Sequence, residues 1–257
     1  MSLNPGLRDW QGRHVWLIGA GHGIGAALAR QLRAAGAILA LSGRSEDALR
    51  EVAGADANCL VLPLDVTREG DWQHACGQLL QRWPRIDVVV MLAGDYRAVR
   101  AWQLTTELAR QMVDVNLLGV MYGTAAVVPP MLQQQQGSIV LVASVAGWAG
   151  MPNGLVYGAT KAAVNHFAQT LYLDLRPRGI GVHVVNPGFV ATRLTAQNDF
   201  AMPALISAEQ AASAMLAGLA RGDFDIHFPR RFSLPLKLAA HLPYRLYFWL
   251  AHKVTGL

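Results

Sequence analysis

The chain has 257 residues, of which 53% are hydrophobic and 15% charged. It is long enough to bury a substantial core and too apolar to remain disordered. The formal charge is +5, yet the basic residues are scattered until about residue 230 with no dense block, which argues against a nucleic-acid partner.

Cys59 and Cys76 show neither a Cys-x-x-Cys pair nor zinc spacing and read as ordinary thiols of a reducing compartment, with a pairing between them left open. The opening MSLNPGLRDWQG lacks an apolar core ahead of a cleavage-like site, so no secretory signal is expected. No uninterrupted apolar stretch of about 18 residues occurs. A cytoplasmic location is the expectation.

In chain order, strand-like runs fall at 14–19 (HVWLIG), 37–42 (AILALS), 59–64 (CLVLPL), 86–92 (IDVVVML), 137–143 (GSIVLVA) and 180–186 (IGVHVVN), with a seventh near 224–228. Helical patterns fall at 23–35, 45–53, 68–83, 106–132 and 155–176. Strands apolar on nearly every residue are buried on both faces, as parallel strands covered by helices are. Their alternation with helices predicts an α/β fold: a Rossmann-like, doubly wound parallel sheet of about seven strands. No linker or repeat interrupts it, so residues 1–257 are expected to form one domain. Gln133 to Gln136 are expected to form a solvated turn.

The first strand runs into GAGHGIGAALARQL, where Gly19 ends the strand and Gly23 and Gly25 open a helix. A pyrophosphate can lie against such a helix N-terminus, whose amides are free and whose dipole end is positive. The spacing is Gly-x-x-x-Gly-x-Gly rather than Gly-x-Gly-x-x-Gly, and tight packing alone also produces such turns. At the end of the second strand, an NAD-preferring fold places a carboxylate for the ribose 2′-hydroxyl. Here LALSGRSED presents Ser42, Gly43 and Arg44, with no acid before Glu46. A guanidinium beside small residues suits a 2′-phosphate, so NADP is favoured over NAD. The other reading of Arg44 is a surface arginine near a helix start.

Ser144 lies just beyond the strand at 137–143, and Tyr157 and Lys161 stand four residues apart in a helical pattern. Positions i and i+4 share a helix face, so phenol and ammonium point into the same space. The lysine charge is expected to lower the phenol pKa and make a usable acid/base, with the Ser144 hydroxyl holding the same substrate oxygen.

With these motifs in this order, the chain resembles the short-chain dehydrogenase/reductase family over roughly residues 12 to 228. The resemblance implies that Gly19, Gly21, His22, Gly23, Ile24 and Gly25 form the cofactor turn. Ser42 and Arg44, as read above, would meet the 2′ position; the resemblance implies that Asp65 with Val66 contacts adenine and that Ala93 and Gly94 approach the nicotinamide ribose. Asn116 would belong to a proton-relay water chain. Ser144, Tyr157 and Lys161 would form the catalytic set, with Tyr157 and Lys161 also touching the ribose. Pro187, Gly188, Val190 and Thr192 would fix the carboxamide. No metal is implied, and the family's members imply a homodimer or homotetramer.

Two positions depart from the family. Ile18 stands where a threonine is usual, and Met91-Leu92-Ala93-Gly94 replaces Asn-Asn-Ala-Gly. Apolar groups on both sides can substitute for a lost polar pair, so Ile18 is expected to pack near Leu92. Substrate would sit over the nicotinamide between 145–153 and the loop 189–206. That loop is mostly apolar and reads either as a lid over an apolar, lipid-like substrate or as plain packing. Tyr96, Trp102 and Trp148 could add aromatic walls. Residues 229–257 form an amphipathic extension that interleaves basic residues with Trp, Tyr and Leu, and Pro243 is expected to start its second helical piece. It suits peripheral contact with a membrane, or else packing on its own or a partner subunit. The reading is an NADP-dependent oxidoreductase acting on a small apolar carbonyl or alcohol. The alternative is a non-catalytic sensor or membrane-associated scaffold with the same fold.

Overall fold

The computed structural model describes residues 2–256. Seven strands make one sheet: β1 (His14–Ile18), β2 (Ile38–Ser42), β3 (Cys59–Val61), β4 (Val88–Met91), β5 (Gly137–Val142), β6 (Ile180–Pro187) and β7 (Asp225–Phe228). All neighbours run parallel in the order β3-β2-β1-β4-β5-β6-β7. The chain starts mid-sheet, winds out to β3, then returns past β1 to β4 and on to β7. That reversal between β1 and β4 opens a crevice at the carboxyl ends of the strands, where ligands of such sheets bind.

Helices α1 (Gly23–Ala34), α2 (Glu46–Ala53), α3 (Glu69–Arg82), α4 (Thr106–Val113), α5 (Gly119–Gln134), α6 (Leu155–Leu175) and α7 (Ala208–Arg221) cover the sheet. Two more, α8 (Arg230–Ala239) and α9 (Tyr244–Thr255), follow the last strand. Side chains alternate across a strand, and the core divides accordingly. Val15, Leu17, Leu39, Leu41, Val88 and Val90 face α1 and α7, burying Leu28, Leu32, Met215 and Leu219. Trp16, Ile18, Val89, Met91, Ile139 and Leu141 face α3, α5 and α6, burying Trp72, Leu79, Val127 and Val164. Both faces are covered, which is why these strands are apolar without alternation.

The architecture is the expected one, and the differences are local. The helix expected over 106–132 is broken by a π-helical turn at Asp114–Leu118, which places Asn116 in a locally widened turn. The strand expected over 59–64 is regular only to Val61, although Leu62 and Leu64 still donate to Leu41 and Gly43. The glutamine turn is not wholly solvated: Gln134 accepts from the Ile86 amide and donates to its carbonyl. Helix α7 lies outside the expected set, though its start carries a reciprocal capping box between Ser207 and Gln210, and Gly222 ends it at φ 73°. Helix α9 begins directly after Pro243, as anticipated. Both cysteines are free, and burial pushes each thiol up to about 11.

Candidate active site

At the crevice lies a cleft of about 1180 Å³. Gly19, Gly21, His22, Gly23, Ile24 and Gly25 line one wall; Arg44, Asp65, Val66, Ala93, Gly94 and Thr192 complete it. Gly19 has φ +88°, and a Cβ there would sit 2.7 Å from the Ala93 amide nitrogen. A Cβ on Gly25 would sit 2.2 Å from the Gly19 carbonyl. Bare backbone is therefore required for β1, α1 and the segment after β4 to come this close. The first turn of α1 is uncapped: His22 makes no side-chain bond to it, and no acidic residue occupies it. Its free amides and positive dipole end face the cleft, the chemistry that receives a phosphate.

Arg44 is exposed at the rim beyond β2, and its guanidinium makes no hydrogen bond or ion pair among the described residues. Asp65 lies nearby. Partial burial raises its pKa, but bonds from the Thr67 amide and hydroxyl, with the charges of Arg44 and Arg68, outweigh this and hold it below the carboxylate norm. The uncapped helix and the glycine cradle fit the pyrophosphate of a nicotinamide dinucleotide.

Ser144, Tyr157 and Lys161, expected to be catalytic, are not among the residues lining this cleft but adjoin it at Gly94, where a Cβ would sit 3.7 Å from Lys161 Nζ. Ser144 follows β5 and is buried; its Oγ accepts from the Ala146 amide at 3.1 Å and donates to the Pro187 carbonyl at 3.4 Å. Tyr157 and Lys161 stand on the first turns of α6, with Lys161 Nζ 5.6 Å from the Tyr157 ring centroid. Lys161 is buried and donates to the Val142 carbonyl at 2.9 Å, which fixes its ammonium beside the Tyr157 ring. Burial lowers its pKa to about 8. The lowering expected for Tyr157 from the lysine charge does not occur. Burial pushes the phenol up to about 12 despite a hydrogen bond with Ser144, and the neighbouring Tyr96 adds to the rise.

Asn116 is fully buried, and its amide is committed. Oδ1 accepts from the Asp95 amide at 2.8 Å; Nδ2 donates to the Asp95 carbonyl at 2.8 Å and to Thr160 Oγ1 at 3.2 Å. Thr160 in turn donates to the Tyr157 carbonyl. The side chain expected in a relay thus ties the π turn to α6 and to the segment after β4, close to Gly94 and Lys161.

Several expected contacts fall elsewhere. Ser42 does not reach the cleft: it is fully buried, and its Oγ accepts from Trp16 Nε1 at 2.9 Å. Its carbonyl receives the Gly19 amide, so it shapes the turn from beneath. Pro187, Gly188 and Val190 also lie outside the cleft wall, and the open side of Gly188 is filled by Phe232 of α8. Val190 is buried and bridges to Ile206. Ile18 does not pack near Leu92. In the parallel register it pairs with Met91, so its side chain enters the α3/α5 layer, whereas Leu92 points to the opposite face.

Of the aromatic candidates, Tyr96 packs edge-on to Tyr157 at 5.1 Å. Trp148 instead packs on His227, and Trp102 lies on the surface. Arg193 was not among the expected residues. It lines the cleft and meets His22 Nε2 at 2.8 Å, spanning the phosphate wall. Its neighbour Thr192 was visible as a motif; Arg193 carries no spacing signal, because only the loop's return over α1 brings it there.

A family profile described as short chain dehydrogenase matches residues 13–202. An uncharacterized oxidoreductase of Myxococcus xanthus is 35% identical over 240 residues, spanning 91% of this chain and 94% of its own. The fold is similar to a short-chain dehydrogenase/reductase of Burkholderia phymatum in complex with NAD: TM-score 0.83, 24% identity, 91% of this chain and 94% of that one. It is also similar to a Burkholderia cenocepacia short-chain dehydrogenase in complex with NADP: TM-score 0.84, 22% identity, 95% and 98% covered. On the profile match and the Myxococcus relative, this chain belongs to the short-chain dehydrogenase family.

Proposed function

We propose that the protein is an NADP-dependent oxidoreductase that interconverts a carbonyl and a secondary alcohol on a small apolar substrate. One arrangement carries the reading: Tyr157, Lys161 and Ser144 stand together beside Gly94 of a cleft that also presents an uncapped helix and Arg44. The neighbours solved with NAD and with NADP bear the same fold and leave the choice to local residues. Arg44, with no carboxylate before Glu46, supports the phosphorylated cofactor.

When bound, the nicotinamide supplies or accepts the hydride. The protein handles the oxygen. With its pKa pushed up to about 12, Tyr157 keeps its proton at neutral pH and donates it to the carbonyl oxygen during reduction. The ammonium of Lys161, held 5.6 Å from the ring, stabilises the phenolate left behind. Ser144 orients the substrate oxygen through its hydroxyl. Asn116 acts by holding the segment after β4 against α6. Thr192, Gly94 and Asp65 line the cofactor's path. The apolar loop 189–206, with Phe189 against Phe200, favours an apolar substrate. The enzyme is read as cytoplasmic, where NADPH is kept reduced, and as a homo-oligomer.

Calorimetric titration with NADPH and NADH tests the cofactor assignment. NADPH is expected to bind more tightly, and Arg44→Ala to abolish that preference. Equal binding of both cofactors by the unmodified protein would remove the assignment. Tyr157→Phe should bind NADPH as before and lose turnover of ketones; retained turnover would exclude the acid role.

A further inference from the structure

Residues 229–257 contain five basic side chains, Arg230, Arg231, Lys237, Arg245 and Lys253, and no Asp or Glu. The remainder of the chain has equal numbers of acidic and basic residues, so the whole net charge of +5 resides in this extension. Large apolar groups are exposed in the same place. Leu238 is 73% exposed, Tyr244 79%, Phe248 53% and Trp249 57%. On α9, Arg245, Trp249 and Lys253 follow one another at four-residue steps, and Lys253 Nζ lies 5.2 Å from the Trp249 ring. Phe248 stacks on Tyr244 along the adjoining stripe at 5.7 Å. Cations and aromatics therefore share the outward face.

The inward face is firmly attached. Tyr247 is buried, and its hydroxyl donates to the Gly150 carbonyl at 2.6 Å. Lys237 of α8 pairs with Asp225 of β7, and Ser233 meets His227. The extension is thus a folded element with an exposed outward face, basic and aromatic together.

We propose that α8 and α9 form a docking surface for an anionic lipid bilayer. Aromatic and leucine side chains of this kind settle at the headgroup boundary, while lysine and arginine draw them to negative lipid. Helices of 10 and 12 residues are too short to cross, so the extension lies on the surface. A second copy is the poorer occupant. A two-fold contact through α9 would set Arg245 and Lys253 against their own copies, and the extension has no carboxylate to place between them.

The position of this surface deepens the proposed function and, in that respect, rests on it. Tyr247 holds the segment that follows Ser144, and Phe232 of α8 packs on Phe189 of the opposite loop at 5.4 Å. The lipid-facing element therefore braces both rims of the substrate mouth. The substrate class it fits is an apolar carbonyl or alcohol dissolved in the bilayer.

Vesicle sedimentation of the full chain tests the surface without reference to turnover. The protein is expected to sediment with vesicles of equal parts phosphatidylglycerol and phosphatidylcholine, and to stay in solution with phosphatidylcholine alone. Arg245→Glu with Lys253→Glu should weaken partitioning more than about tenfold. Phe248→Ser with Trp249→Ser should weaken it as well, with NADPH affinity and circular dichroism unchanged. Failure of the unmodified protein to sediment with the anionic vesicles overturns the proposal, as does undiminished binding by both variants. Variants that instead break a wild-type oligomer in sedimentation velocity also overturn it, because the face would then be an interface between copies. A failure of the oxidoreductase reading would appear only in the cofactor titration and the Tyr157→Phe assay.

Discussion

Lys161 sits in an environment that opposes its own charge. Its pKa falls from 10.5 to about 8 because burial removes water from the ammonium. Between those values the unfolded chain binds the proton and the folded chain does not, so this group makes stability rise with pH from about 8 to 10.5. The full effect is on the order of 3 kcal/mol. In Lys161→Met that slope should vanish, which urea denaturation at pH 7 and pH 10 would show as a smaller gain at the higher pH. The same titration touches turnover. Reduction rates are expected to fall as pH rises through about 8, because the cation beside Tyr157 is lost. Tyr157 has the opposite sign. Its phenol is raised from 10.0 to about 12, so the stability it contributes is present below pH 10 and is lost as pH climbs towards 12.

Among the elements, α1 and α7 show how much local chemistry decides. Helix α1 starts against β1 with no room for a side chain at Gly25, where a Cβ would meet the Gly19 carbonyl at 2.2 Å. Gly25→Ala is expected to cost roughly 1–3 kcal/mol and to weaken NADPH binding, since the carbonyl can move only by shifting the phosphate turn. Thermal melting and the same calorimetric titration check both parts. Helix α7 begins with Ser207 accepting from the Gln210 amide at 3.2 Å. Ser207→Ala should lower stability by about 1 kcal/mol and leave cofactor affinity unchanged, because α7 packs on α1 through Met215 and Leu219, away from the cleft.

At the scale of the whole molecule, the extension is joined to the sheet's far edge and the substrate loops together. Phe232 fills the open side of Gly188 and packs against Phe189. Phe232→Ala is expected to cost roughly 2 kcal/mol, less than a fully buried phenyl, because the ring is partly exposed. It should raise KM for apolar ketones more than it lowers kcat, since Phe189 and Phe200 lose their brace while Tyr157 and Lys161 stay in place. Steady-state kinetics separates the two parameters. The apolar helical stretch Thr106–Gln134 also belongs to this scale. It is long enough by composition to cross a bilayer, but its Asn116 is buried against the loop after β4, and its Val120 and Val127 are buried in the sheet's second layer.

The amino-acid sequence by itself determined the alternation of strands and helices, because apolar periodicity and strand length are local properties. It also determined the order of Gly19, Ser144, Tyr157 and Lys161, because each stands at the end of a recognisable element. Helix α7 was not read, because alanines dilute its apolar stripe, although the Ser207–Gln210 box and Gly222 were signals for it. Only the tertiary structure decided the rest. Burial set the pKa of Tyr157 against the hydrogen bond from Ser144, and desolvation depends on every element packed around a group. Strand register sent Ile18 and Leu92 to opposite faces, and the indole of Trp16 took the hydroxyl of Ser42. Arg193 reached His22 from 171 residues away. Such contacts join positions distant in the chain, and a spacing rule reads only neighbours.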